Sequence, residues 1–145
     1  PPFDPPCAAM RFALAAAADE IGGVVTVSTT GIATPSREAR VGPRIGLRAD
    51  VRRVPVFGLG CAGGVSGLAL AARLAASEPG TTWLFVTVET CSISIRLDSD
   101  DPAAVVATAL FGDGCAAAVV TAGEGGLATL KGSAEKLWPD TLGIM

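Results

Sequence analysis

The chain has 145 residues, of which 50% are hydrophobic, 5% are aromatic and 18 are glycine, a composition that predicts one domain with a close-packed core. The net charge of −3, with no basic cluster, argues against a nucleic-acid partner. No apolar run approaches the roughly 20 residues of a membrane span, and the N-terminus lacks a signal-peptide pattern, so we expect a cytoplasmic protein without membrane contact.

Strand-like and helix-like segments alternate along the chain. Strands are predicted from β-branched runs at residues 22–30, 53–59, 81–89, 115–122 and 127–138. Helices are predicted at residues 8–19, 36–45, 62–76 and 103–110, after a proline-rich, extended lead at 1–6. This order predicts one α/β domain over residues 1–145. Its sheet is mostly parallel, is flanked by helices, and has an antiparallel strand at the C-terminal end.

Two of these boundaries carry local signals. Ser36 is placed to cap the helix at 36–45, and Pro43 is expected to weaken the far end of that helix. The sequence Glu-Gly-Gly at 124–126 stands where a hairpin would turn the chain back from strand 115–122 into strand 127–138.

The cysteine pattern and the missing histidine limit the chemistry. The four cysteines, Cys7, Cys61, Cys91 and Cys115, lie far apart, and no Cys-x-x-Cys pair occurs. With no histidine in the sequence, a zinc site is not expected, and a Cys–His or Ser–His catalytic pair within these residues is excluded.

Cys61 lies in GLGCAGG, between a predicted strand and a predicted helix. A thiol at this turn faces the helix N-terminus, whose unpaired N–H groups and dipole favour a thiolate. The surrounding glycines leave backbone space for a substrate. A buried structural cysteine is the alternative interpretation, and the residues alone leave both open.

The FGDG turn at 111–114 is a weaker signal. Gly112 and Gly114 fit a tight turn, and Asp113 is expected to bond local backbone N–H groups there. From residue type alone, Phe111 is more typical of a core, and Cys91 and Cys115 are more typical of small apolar fillers.

Four motifs stand in a fixed order: STTGIATP at 28–35, GLRADVRRVPVFGLGCAGG at 46–64, the Glu89 that ends LFVTVE, and ALFGDGCAAAVV at 109–120. Their order and spacing resemble those of the type III polyketide synthases, the chalcone and stilbene synthase-like enzymes, here of the bacterial kind. The resemblance covers roughly residues 20–145. It implies a thiolase-like fold of two similar α/β halves, with this chain forming most of the first half, and a homodimer.

The resemblance also implies an activity and its residues. Cys61 accepts an acyl group from an acyl-CoA, and decarboxylative condensation with malonyl-CoA extends it. Phe111 matches the phenylalanine that gates the cavity mouth, while Cys91 and Ser94 match cavity-lining positions. Thr34 matches the dimer-interface position that reaches into the partner's cavity. Acyl-CoA and malonyl-CoA are the implied substrates, with no cofactor and no metal.

The sequence departs from the family in two respects. The family's catalytic His and Asn lie in its second half and have no counterpart here, nor do the basic residues that bind coenzyme A near its N-terminus. The resemblance therefore indicates a fragment that leaves apolar surface exposed and does not decarboxylate malonyl-CoA by itself. Two alternatives remain: a condensing enzyme like ketoacyl-ACP synthase III, and a non-catalytic thiolase-like fragment.

Overall fold

The computed structural model describes residues 18–96 and 98–141, which form one four-stranded sheet with helices on both faces. The strands are β1 (Ile21–Val27), β2 (Arg52–Val56), β3 (Thr82–Glu89) and β4 (Gly114–Val120), and the α-helices are α1 (Arg37–Val41), α2 (Gly63–Ser77) and α3 (Pro102–Leu110). Short 3₁₀ turns cover Ala18–Glu20, Gly42–Ile45, Gly60–Ala62 and Cys91–Ser94. No helix in the described ranges is both long enough and apolar enough to cross a bilayer.

The sheet has the strand order β2-β1-β3-β4. β1 runs parallel to β2 and β3, whereas β4 runs antiparallel to β3. This arrangement confirms the predicted mostly parallel sheet with an antiparallel strand near its C-terminal end. The carboxyl ends of β1, β2 and β3 therefore meet at one edge, which is where open α/β sheets bind ligands.

Two apolar cores cover the two faces of the sheet. On one face Val24, Leu84 and Val86 pack against Val41 of α1. On the other, Val27 and Phe85 pack with Ala71 of α2. The central strands β1 and β3 are buried on both faces, which explains why their sequences are nearly continuous apolar runs.

The predicted helix at 36–45 is divided in two. An α-helix covers Arg37–Val41, and a 3₁₀ turn continues to Ile45 because Pro43 cannot donate a backbone hydrogen bond. Ser36 occupies the N-cap position, but its hydroxyl donates to the Glu38 carboxylate rather than accepting from the helix backbone. The predicted helix at 36–45 is therefore helical over nearly its whole length, but residues 42–45 form a 3₁₀ helix and not the predicted α-helix.

The predicted return strand at 127–138 is wrong. Residues 121–141 contain no strand, and their side chains are exposed. A strand needs a partner edge and a buried face, and Leu127, Leu137 and Trp138 all lie against solvent. The antiparallel strand of the sheet is β4 itself.

The predicted helix at 8–19 lies mostly outside the described residues, and the lead at 1–6 lies wholly outside them. The last two residues of that predicted helix, Ala18 and Asp19, belong to the 3₁₀ turn Ala18–Glu20.

Candidate active site

Cys61 lies at the turn between β2 and α2, within the 3₁₀ turn Gly60–Ala62 and two residues before the first residue of α2. Gly60 has a φ of +52°, a left-handed conformation that glycine adopts without strain. The Cys61 side chain is exposed and its thiol is free. The strand, turn and helix expected around Cys61 are therefore present, and the thiol faces solvent rather than the core.

A cavity of about 380 Å³ opens in front of Cys61, a volume within the range of small-molecule sites. It lies between the carboxyl ends of β1 and β3, the turn at Cys91–Ser94 and one face of α3. Its lining is mostly apolar or weakly polar: Thr29, Thr30, Gly60, Cys61, Glu89, Cys91, Ser94, Ile95, Arg96, Ala104, Ala107, Thr108 and Phe111. Four of the five predicted site residues, Cys61, Cys91, Ser94 and Phe111, thus line one cavity.

Thr34, the fifth predicted site residue, does not line this cavity. It lies in the exposed loop before α1, beside a separate cavity of about 200 Å³. The resemblance assigns Thr34 to the cavity of a partner subunit, so its separation from Cys61 of the same chain leaves that assignment a prediction.

Glu89 lines the cavity and connects the ends of β1 and β3 through hydrogen bonds. Its carboxylate accepts hydrogen bonds from the backbone N–H groups of Thr29, at 2.7 Å, and Thr30, at 2.9 Å, and from the Thr30 hydroxyl. The Thr30 hydroxyl oxygen in turn accepts from the backbone N–H of Thr90 at 2.8 Å. The sequence predicts Glu89 as the end of a strand and as one of the four motifs of the resemblance, without a binding role. The signal in the sequence for this role of Glu89 is a single carboxylate at the end of a predicted buried strand.

The hydrogen bonds to Glu89 decide the direction in which its pKa shifts. Partial burial alone would raise this pKa, but the bonds from Thr30 and from the Thr29 and Thr30 backbone outweigh burial and hold the pKa below its usual value. The carboxylate therefore remains charged at neutral pH as an acceptor that fixes two strand ends.

Replacing Glu89 with glutamine is expected to destabilise the fold by about 1–2 kcal/mol at neutral pH, because the hydrogen bonds lose a charged acceptor. Since the folded pKa is depressed, the stabilisation is fully present above the unfolded pKa and is lost as pH falls through the folded pKa. The free energy of unfolding, measured in urea between pH 3 and 7, should show a shallower acid limb in Glu89→Gln. The matched control is Glu135→Gln, at an exposed position, and an equal effect from that variant would contradict the interpretation.

Asp113 does not cap its own turn as predicted. Its carboxylate accepts from the backbone N–H of Ser92 at 2.8 Å and from the Ser92 hydroxyl at 2.7 Å. These bonds hold the pKa of Asp113 below its usual value, with the backbone bond contributing most. The FGDG turn is thereby joined to the turn at Cys91–Ser94.

Cys115 lies on β4, outside the cavity, and packs against the core that contains Val41. Burial raises the pKa of its thiol, which makes it a poor nucleophile and fits its prediction as an apolar filler. In the described ranges, 18–96 and 98–141, His, Cys, Asp and Glu side chains form no group of three or more that could hold a metal ion.

Comparison with known proteins shows the family of the chain. The family described as chalcone and stilbene synthases, N-terminal domain, matches residues 12–124. The chain belongs to the chalcone and stilbene synthase family. This result confirms the resemblance carried by GLGCAGG and ALFGDG, and it favours that family over the ketoacyl-ACP synthase III alternative.

Members of the chalcone and stilbene synthase family resemble the chain in both sequence and fold. A 1,3,6,8-tetrahydroxynaphthalene synthase from Streptomyces peucetius subsp. caesius is 47% identical over 109 residues, covering 75% of this chain and 29% of that protein. The crystal structure of 1,3,6,8-tetrahydroxynaphthalene synthase from Streptomyces coelicolor A3(2), a bacterial type III polyketide synthase, matches with a TM-score of 0.86 and 31% identity. The match covers 93% of this chain and 40% of that structure.

Germicidin synthase from Streptomyces coelicolor, another type III polyketide synthase, matches with a TM-score of 0.74 and 30% identity, over 79% of this chain and 31% of that structure. The chain therefore spans less than half the length of each of these relatives. Its four-stranded sheet has the thiolase-like fold of the corresponding part of these enzymes.

Proposed function

We propose that this chain supplies the acyl-carrying part of a type III polyketide synthase, with Cys61 as the nucleophile. The observation that carries the proposal is the position of Cys61, an exposed free thiol at the turn before α2 that opens into an apolar cavity. Family membership adds to it, because the relatives named above are type III polyketide synthases. Acyl-CoA and malonyl-CoA are the proposed substrates.

The first step is a thioester exchange. The Cys61 thiolate attacks the carbonyl carbon of an acyl-CoA, and the tetrahedral intermediate collapses with release of the coenzyme A thiolate. The S–C bond to Cys61 replaces the S–C bond to coenzyme A, so no oxidant or metal is needed. The apolar lining of the cavity suits the hydrocarbon part of the acyl group.

The oxyanion of this intermediate needs hydrogen-bond donors, and two nearby donors are already occupied. The backbone N–H of Ala62 donates to the Leu59 carbonyl at 3.1 Å, and that of Gly63 donates to the Gly60 carbonyl. Ala62 and Gly63 therefore stabilise the turn rather than the oxyanion.

The later steps require groups that these residues do not contain. Decarboxylative condensation with malonyl-CoA uses the family's His and Asn, and the sequence has no histidine. We assign to this chain the nucleophile and the cavity lining described above. We also propose that the protein acts as a homodimer, in which Thr34 reaches the partner's cavity.

Mass spectrometry of the full-length protein after incubation with acyl-CoA thioesters tests the proposal. A thioester adduct is expected on the peptide that contains Cys61 and not on the peptides that contain Cys91 or Cys115. Product analysis with malonyl-CoA should then show pyrones or resorcinols. A single condensation onto acyl carrier protein would instead support an enzyme like ketoacyl-ACP synthase III, and the absence of any adduct would support a non-catalytic fragment.

A further inference from the structure

Two walls of the Cys61 cavity lie just beyond the end of the sheet. The antiparallel ladder between β3 and β4 ends at the pair Glu89 and Gly114. Cys91 and Ser94 follow the end of β3, and Phe111 precedes the start of β4. The ladder therefore brings these two segments close together but does not itself fix the distance between them.

Asp113 provides the link that the ladder lacks. Both of its carboxylate oxygens are used, Oδ1 by the Ser92 N–H at 2.8 Å and Oδ2 by the Ser92 hydroxyl at 2.7 Å. A charged acceptor with two donors on one residue resists both translation and rotation of that residue. Ser92 lies within the turn Cys91–Ser94. Its bonds to Asp113 therefore connect this turn to the FGDG turn, although the two residues are 21 positions apart in the sequence.

Phe111 is consequently held from both sides. Its backbone N–H donates to the Ala107 carbonyl at 2.9 Å, which attaches it to the last turn of α3. Two residues later Asp113 attaches the same segment to Ser92. Phe111 is 45% exposed, so packing holds its side chain only in part, and these hydrogen bonds fix the backbone from which the side chain projects.

We propose that Asp113 is a positioning residue, which sets the width of the cavity between Phe111 and the Cys91–Ser94 turn and so determines which acyl chains fit beside Cys61. The selectivity for acyl chains rests on the proposed function above. The effect on cavity shape does not, because the alkyl chain of a thiol-directed reagent bonded to Cys61 must fit between the same cavity walls. Ser92 takes part through its hydroxyl and its backbone N–H.

The test measures access to Cys61 with two reagents of the same chemistry and different length, N-ethylmaleimide and N-octylmaleimide. Their rates at Cys61 in the full-length protein are followed by peptide mapping, which separates Cys61 from the other cysteines. In Asp113→Ala the preference between the two reagents should change about threefold to fivefold, because the two hydrogen bonds to Ser92 are exposed and stabilise the turn less than buried ones would. Ser92→Ala, which keeps the N–H donor, should change it less, and Ser92→Thr should restore it.

A control variant and two contrary outcomes complete the test. Asp50→Asn removes a carboxylate that pairs with Arg48 on the surface and should leave the preference unchanged, within about twofold. A preference in Asp113→Ala that equals the original, at an unchanged melting temperature, would overturn the proposal. So would a failure of Ser92→Thr to restore what Ser92→Ala loses.

A parallel arm with acetyl-CoA and octanoyl-CoA separates this proposal from the proposed function. If neither thioester acylates Cys61 but the maleimide preference changes as expected, the positioning role stands and the acyl-transfer role fails. If acylation occurs but Asp113→Ala changes neither the maleimide preference nor the thioester preference, the acyl-transfer role stands and the positioning role fails.

Discussion

Replacing Cys61 with alanine is expected to abolish acyl-adduct formation, a loss of at least about a thousandfold, because alanine offers no nucleophile at the turn before α2. The substitution removes an exposed side chain that makes no core contact, so the fold should remain unchanged. The measurement compares thioester adducts by mass spectrometry in the full-length protein and its variant, together with thermal unfolding of both.

Cys115→Ala is the matched control for Cys61→Ala. Cys115 packs against the core, and burial raises the pKa of its thiol, so the adduct on Cys61 should persist in this variant. Some loss of stability is expected there, because a half-buried side chain is shortened. Adduct formation that continues in Cys61→Ala would show that another thiol carries the acyl group, and Cys91, in the same cavity, would be the next candidate.

Replacing Gly67 with alanine is expected to destabilise the protein by about 3 kcal/mol, through overpacking where α2 lies against the sheet. A Cβ at Gly67 would lie 2.4 Å from Cγ2 of Val27 and 2.8 Å from Cε2 of Phe85. Both neighbours are buried, so neither side chain can move away cheaply. The helix must shift outward, and because Cys61 lies only two residues before α2, the thiol should move with it. Urea unfolding measures the first effect and the N-ethylmaleimide rate at Cys61 the second.

Gly64→Ala is the matched control, three residues earlier in the same helix. A Cβ at Gly64 meets no atom within 4 Å, and alanine favours a helix over glycine by up to about 1 kcal/mol. This variant should therefore be as stable as the original or slightly more stable. Equal destabilisation by both substitutions would show that flexibility of the helix, rather than close packing of α2 on β1, explains the requirement for glycine.

The local structure around Cys61 could be predicted from the sequence for physical reasons. β1 and β3 are buried on both faces, so each is a nearly continuous apolar run that is visible in the sequence. The glycines around Cys61 mark a sharp turn, since Gly60 adopts a left-handed conformation. The order of strands and helices then places Cys61 at the edge of the sheet where ligands bind.

The prediction of a strand at 127–138 failed because periodicity and turn residues report only local preference. A strand becomes stable when it pairs with a partner edge and buries one face, and residues 127–138 do neither, since they do not pair with the edge strand β4 and their side chains are exposed. The same limit applies to Asp113. Its type and position predict local turn bonds, and the nearest suitable donors in space are those of Ser92.

The sequence by itself determined the alternation of strands and helices, the placing of Cys61 before α2, and the family, because these depend on neighbouring residues and on motif spacing. The tertiary structure alone decided which hydrogen bonds join the segments around Cys61. Glu89 joins Thr29 and Thr30 across about 60 residues, and Asp113 joins Ser92 across 21. Such contacts arise from the register of β3 against β1 and β4, and register depends on how whole strands pack rather than on any local pattern.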